Sequence, residues 1–164
     1  MKAARKSAAQ PAPPPPKIRR VRAQDIGLVI ALDRKVTGIA KPRYWREVFE
    51  RYGRRRQAES FFLVAEPGKG GEAGHIIGFI IGEVRAWEFG SAPCGWVFAL
   101  SVEPAMRQHG VGEALFNTIS AEFRKAGMGK MRTMVDRDNP LPLLFFRGEG
   151  MMAGPYIQLE KDIA

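Results

Sequence analysis

The sequence has a single cysteine, Cys94, and only two histidines, His75 and His109, in 164 residues. One thiol excludes an intramolecular disulfide and argues against a thiolate-built zinc site, so no metal is expected and a reducing cytoplasm is the expected compartment. No apolar run approaches the ~20 residues of a membrane-spanning helix, which excludes a helical span and leaves no membrane partner expected. The opening residues lack the apolar core of a signal peptide, so export is not expected. Internal repeats are also missing.

Acid is absent from residues 1–23, which hold seven of the 26 Lys and Arg residues. Beyond them stand nineteen basic and seventeen acidic residues, so the formal charge of +9 belongs mostly to the N-terminus. Residues 1–16 are expected to form a disordered basic, proline-rich tail, with Pro13–Pro16 extended as polyproline II. Residues 17–164 are expected to fold as one domain, long enough for a proper core. A tail of this kind reads as a solvated extension, so nucleic acid is not an expected partner.

Along the chain, "KIRRVRA" (17–23) is a weak strand signal, and Asp25 follows as a candidate helix cap. Ile26, Val29, Leu32 and Val36 recur at helical spacing, although Asp33 falls within their stripe. "PRYWREVFERYG" reads as a second helix with proline near its start and Gly53 as its stop. "SFFLVAE" (60–66), the apolar run in "HIIGFIIGEVRAW" and "WVFALSV" (96–102) read as strands. A helix from 111 to 125 buries Ala114, Leu115, Ile119 and Phe123 and ends at Gly127. "KMRTMVD" is a further strand, "PLPLLFFRG" a short helix and "YIQLEKDI" a closing strand. The order predicts an α/β (mixed α+β) domain, a mixed sheet flanked by helices.

One motif carries chemistry. "RQHGVG" (107–112) sits where the strand ending at Val102 hands over to a helix. The first turn of a helix leaves N–H groups without intrahelical partners and carries a partial positive charge. Gly110 and Gly112 permit unusual backbone angles and remove Cβ atoms that would hold an anion away. Each such contact contributes about 0.3–1 kcal/mol when exposed and up to ~2 when partly buried. A dinucleotide fold fits less well: seven residues separate Val102 from Gly110, and Leu115 stands where a third glycine is expected. No Gly-Lys-Ser/Thr follows, which excludes a P-loop.

Strand, proline, then Arg107-x-x-Gly110-x-Gly112 opening a helix resembles the acyl-CoA pyrophosphate loop of the GNAT N-acetyltransferase superfamily. The resemblance runs from about Lys17 to Ile163 and includes Asn139 and "LFFRGEGM". It implies a largely antiparallel twisted sheet with a splay between two central strands. It also implies acetyl-CoA as co-substrate and direct transfer of acetyl to a primary amine on a small molecule or protein. Leu100, Ser101 and Val102 would line the pantetheine arm; Arg107, Gln108, His109, Gly110, Val111, Gly112 and Glu113 the pyrophosphate; Asn139 and Phe146 complete the implied cofactor set. A homodimer would be ordinary for such a protein.

A lysine-like amine with pKa ~10.4 is neutral in about one molecule in a few thousand at pH 7, so a base or water chain must offset ~4–5 kcal/mol. Glu83, Glu88, Glu103 and Asp136 are the candidates, with Glu83 preferred because it follows a buried run; Glu103 is placed beside the thioester. Where many members of the superfamily carry a tyrosine as acid, this chain has Phe146. A thiol with pKa ~8.5 leaves as thiolate without a dedicated acid. The same departure admits an alternative, a non-catalytic acyl-CoA-binding module or sensor. Arginines around the second helix suit an anionic acceptor, whereas Glu83 and Glu88 suit a cationic one; Trp45, Trp87 and Phe89 are candidate apolar walls.

Overall fold

The computed structural model describes residues 14–71 and 74–163. The expectation for residues 1–13 lies outside the described residues. The chain divides into two compact units, residues 1–133 and 134–164.

In the first unit, five strands form one sheet in the order β1-β2-β3-β4-β5. They are β1 (Lys17–Arg20), β2 (Ser60–Glu66), β3 (Gly78–Arg85), β4 (Cys94–Val102) and β5 (Met131–Thr133). The first three pairings are antiparallel and the last, β4 with β5, is parallel. Helices α1 (Ile26–Thr37) and α2 (Pro42–Val48) join β1 to β2, and α3 (Val111–Lys125) joins β4 to β5. The mixed, largely antiparallel sheet flanked by helices is as expected.

Successive residues of a strand point to opposite faces. Phe79 and Ile81 of β3 therefore join Val29, Leu32, Trp45 and Val48 in the core under α1 and α2. The opposite face receives α3, whose fully buried Leu115 and Ile119 each contribute about 1.5–3 kcal/mol. Ala114 is only half-buried; Val111, Phe116 and Phe123 complete the stripe. Close seating of α3 depends on missing side chains beneath it. A Cβ on Gly95 would lie 2.4 Å from the Phe123 ring, and one on Gly82 2.7 Å.

Several expectations are corrected. Asp33 does not spoil the α1 stripe: its buried carboxylate accepts the Trp45 Nε1–H at 2.8 Å and pairs with Lys41 Nζ at 3.0 Å. That bond places Trp45 in the core, so it is not a wall of any cleft. Gly53 does not stop the second helix. The chain continues past Val48 as a π-helical turn, Phe49–Arg54, in which a Cβ on Gly53 would fall 2.5 Å from the Phe49 ring. Asp25 does not cap α1 through its side chain; its carboxylate accepts the Arg22 N–H at 2.7 Å and takes the Arg19 guanidinium at 2.6 and 2.9 Å. Burial of Asp25 opposes ionisation, but the Arg19 and Arg22 bonds outweigh it and hold the carboxyl below its ordinary value of 3.8.

The second unit holds α4 (Pro140–Gly148), with Asn139 at its N-cap and Pro140 as its first residue. "YIQLEKDI" forms no strand, and Ile157, Leu159 and Ile163 are exposed. The closing strand expected there is thus corrected: a strand is stable only when it is paired within a sheet, and these residues join none.

Candidate active site

The site begins with an irregularity in β4. Ile81 faces Ala99 and Gly82 faces Val97, so Phe98 is an extra residue, a β-bulge. On the other edge, pairing with β5 ends at Val97↔Thr133, where the Thr133 hydroxyl also donates to the Val97 carbonyl at 2.8 Å. From Phe98 onward β4 runs on without β5. β5 itself ends at Thr133, so its pairing with β4 stops at Val97.

The direction of the β4 backbone groups beyond that point follows from one bond. Glu103 N–H donates to the Ile77 carbonyl at 2.8 Å, which fixes Glu103 as hydrogen-bonded toward β3. Alternate residues of an antiparallel pair turn their N–H and C=O groups to opposite edges. Ser101, opposite Phe79, is therefore spent on β3. Leu100 and Val102 present N–H and C=O to the edge that β5 leaves open.

β4 leads into a single 3-10 turn, Pro104–Met106, and then the glycine loop. Gln108 at φ 63 and Gly110 at φ 76 both take left-handed backbone angles. His109 Nδ1–H donates to the Arg107 carbonyl at 2.7 Å and holds the loop's curvature. The first intrahelical bond of α3 is Ala114 N–H to Gly110 O at 2.9 Å. The N–H groups of Val111, Gly112 and Glu113 consequently have no helical acceptor. Among the described residues, those of Gln108, His109 and Gly110 donate to no backbone carbonyl either. No side chain meets the position of a Cβ on Gly110 within 4 Å, so the cradle is open on that side. Arg107 is exposed and has no ion-pair partner among the described residues. Six amides and a guanidinium at one helix start form an anion cradle; this fits a diphosphate.

The candidate bases separate in space. Glu83 lies on β3 opposite Trp96, the residue preceding the last β4–β5 pair. It shares the sheet face of Phe79 and Ile81, by alternation. Its carboxylate accepts Arg85 Nε–H at 3.0 Å, and Arg85 in turn stacks over the Trp96 ring at 4.3 Å. Glu88 is exposed and 3.9 Å from the same Arg85. Glu103 is not beside the end of the β4–β5 pairing. It follows the last residue of β4, roughly 16 Å along the chain from Phe98, and its carboxylate is tied to Lys35 Nζ. Glu103 and both histidines line a cavity of about 490 Å³ on the β2–β3 side of the loop, with Ile77 and Met106. Trp87 and Phe89 are exposed, both with left-handed backbone angles.

Asn139, Phe146 and Asp136 belong to the second unit. Phe146 is buried and meets Phe145 edge-on at 5.2 Å. Asp136 Oδ1 accepts the Asp138 N–H at 2.9 Å, a turn bond.

One contact escaped the sequence reading. The Tyr52 ring, on the π turn, lies 4.8 Å from the Phe98 ring at the bulge. Neither the bulge nor the π turn has a signal in single-residue patterns. The Glu83–Arg85 pair does: acid and base two apart on a strand share a face.

The acetyltransferase (GNAT) family profile matches residues 28–147. None of the curated proteins matches the chain in sequence. Among solved structures, aminoglycoside N-acetyltransferase AAC(6')-Iy in complex with CoA superposes with a TM-score of 0.77 at 16% identity, covering 94% of this chain and 99% of that one. The 6'-N-acetyltransferase AAC(6')-Ih from Acinetobacter baumannii gives 0.74 at 13%, covering 92% and 100%. A transcriptional regulator from Bacillus halodurans gives 0.72 at 17%, covering 90% and 99%. At these identities the structural likeness establishes the fold. The family match covers most of the chain, takes in the bulge, the open edge and the glycine loop, and makes this protein a member of the acetyltransferase (GNAT) family.

Proposed function

We propose that the protein transfers the acetyl group of acetyl-CoA directly to a primary amine, in the cytoplasm. The observation that supports this most is the continuity of two features. The open edge of β4, with Leu100 and Val102 presenting backbone groups, leads without interruption into the loop whose amides from Gln108 to Glu113 are unpaired.

Acetyl-CoA supplies an activated thioester and, in its diphosphate, the anion that the loop suits. The loop amides and Arg107 hold that anion at the start of α3, where the helix charge favours it. Leu100 and Val102 pair with amides laid along the edge, in the manner of an added strand. The reacting end of a ligand so held reaches toward Phe98, where the β4–β5 pairing stops.

At that point the amine nitrogen donates its lone pair to the acetyl carbonyl carbon and the C–N bond forms. The C–S bond breaks, and sulfur leaves with the electron pair. The amine gives up one proton and the thiolate takes one, so the products are an N-acetylamine and free CoA. Glu83 is the residue we assign to receive the amine proton, directly or through water, because it lies on the sheet face of Phe98, across from Trp96. Glu88 is its alternative. Glu103 is disfavoured by its place at the diphosphate end of β4, away from Phe98. With Phe146 unable to donate a proton, the thiolate is protonated by solvent.

Thermal denaturation of the full chain with acetyl-CoA, followed by CoA release over an amine panel, tests the reading. Ligand at 100 times its Kd stabilises by about 2.7 kcal/mol. Stabilisation with CoA release supports a transferase; stabilisation with none indicates a binding module; no stabilisation overturns both.

A further inference from the structure

The transfer reading leaves the acceptor open, and the charges around the end of the β4–β5 pairing narrow it. Residues 26–59, which carry α1, α2 and the π turn, contain nine basic and four acidic residues. All four acids are engaged: Asp33 by Lys41, Glu47 by Arg43, Glu50 by Arg54 and Glu59 by Arg56. Lys35 is taken by Glu103. Arg34, Arg46, Arg51 and Arg55 remain exposed and without an ion-pair partner among the described residues.

Two of these stand near Tyr52 along the chain. Tyr52 touches Phe98 ring to ring at 4.8 Å, and Phe98 is the first β4 residue beyond the last β5 pair. Arg51 precedes Tyr52 in the π turn, and Arg55 follows that turn as its C-cap. The acids that would draw a polycation to the same face are not free. Glu83 and Glu88 both lie within 4 Å of Arg85.

Resting on the transfer reading, we infer that the accepted amine belongs to a small molecule that also carries a carboxylate or phosphate, held by Arg51 and Arg55 beside the Tyr52–Phe98 contact. Guanidinium groups suit both anions, because their planar N–H fork matches carboxylate and phosphate oxygens. A polycationic aminoglycoside is repelled by the same surplus.

The test compares CoA release from acetyl-CoA with matched amines: an amino acid against its carboxamide, phosphoethanolamine against ethanolamine, and an aminoglycoside. The carboxylate or phosphate member is expected to have the higher kcat/KM by about 10-fold or more at low ionic strength, with the advantage shrinking as salt is added. The double variant R51E/R55E is expected to cut the anionic-to-neutral ratio by about 10-fold or more, while thermal stabilisation by acetyl-CoA shows that it folds and binds. Which arm is preferred separates carboxylate from phosphate. Higher kcat/KM for neutral amines or the aminoglycoside overturns this inference and spares the transferase. An unchanged ratio in R51E/R55E overturns it as well. Loss of acetyl-CoA stabilisation in the unmodified chain, or CoA release from no amine at all, overturns the inference together with the transfer reading.

Discussion

The indole Nε1–H of Trp45 donates to Asp33 at 2.8 Å, and both residues are almost wholly buried. This bond ties α2 to α1. Trp45→Phe keeps most of the ring's packing and leaves the Asp33 carboxylate one donor short. A buried bond to a charged acceptor is worth about 1.5–3 kcal/mol, so the melting temperature should fall by several degrees. Differential scanning calorimetry checks it. A change under one degree would show that Lys41 alone satisfies Asp33.

Gly110 stands at φ 76 with no atom within 4 Å of a Cβ position. Gly110→Val therefore meets conformational cost, about 1–2 kcal/mol, and no clash. The strained valine would also disturb the backbone that carries the loop amides. The variant is expected to fold and to lose most of the thermal stabilisation by acetyl-CoA. Full retention of that stabilisation would remove the loop from the cofactor site.

Gly95 presents the opposite case. Its Cβ would lie 2.4 Å from the Phe123 ring, so Gly95→Ala overpacks the α3 face and should cost about 1–3 kcal/mol. Pairing it with Phe123→Leu should recover part of that loss in a double-mutant cycle. Additive effects in urea denaturation would show that the clash is relieved elsewhere.

Glu83→Gln keeps the side chain's shape and removes its basicity. If Glu83 takes the amine proton, kcat should fall by about 10²-fold or more, and the acidic limb of the pH–rate profile should flatten. Acetyl-CoA stabilisation should persist, since Glu83 lies away from the loop. A variant with unaltered kcat and pH profile would shift the assignment to Glu88 or to a water chain.

Asp25 bonds Arg19 and the Arg22 N–H, and its carboxyl is held below 3.8. A depressed carboxyl contributes stability above its unfolded value and loses it as pH falls through the folded one. Asp25→Asn should thus destabilise by about 1–3 kcal/mol at pH 7. The gap between the two proteins should close below pH 3.8. Denaturant midpoints across pH 2.5–7 (roughly the window that linkage specifies) measure it. A gap that stays constant would mean the bonds to Arg19 do not depend on charge.

Local chemistry was readable from the chain alone. The seven residues of β2, the limits of α3 and the nine of α4 follow from apolar spacing, a proline start and glycine stops. The glycine loop followed from its position between strand and helix. Where a residue's role depended on a distant partner, the pattern misled. Asp33 looked misplaced and Trp45 looked like a cleft wall until each supplied the other's hydrogen bond. The closing strand expected at "YIQLEKDI" does not form.

The sequence by itself determined the helix start that presents unpaired amides, because helix initiation and glycine's backbone range are local properties. Only the tertiary structure decided where the β4–β5 pairing stops, which β4 backbone groups face away from β3, and that Tyr52 meets Phe98 at that point. Those depend on one extra residue in a strand and on register against neighbours far along the chain, and register is set by packing between strands, which no single segment contains.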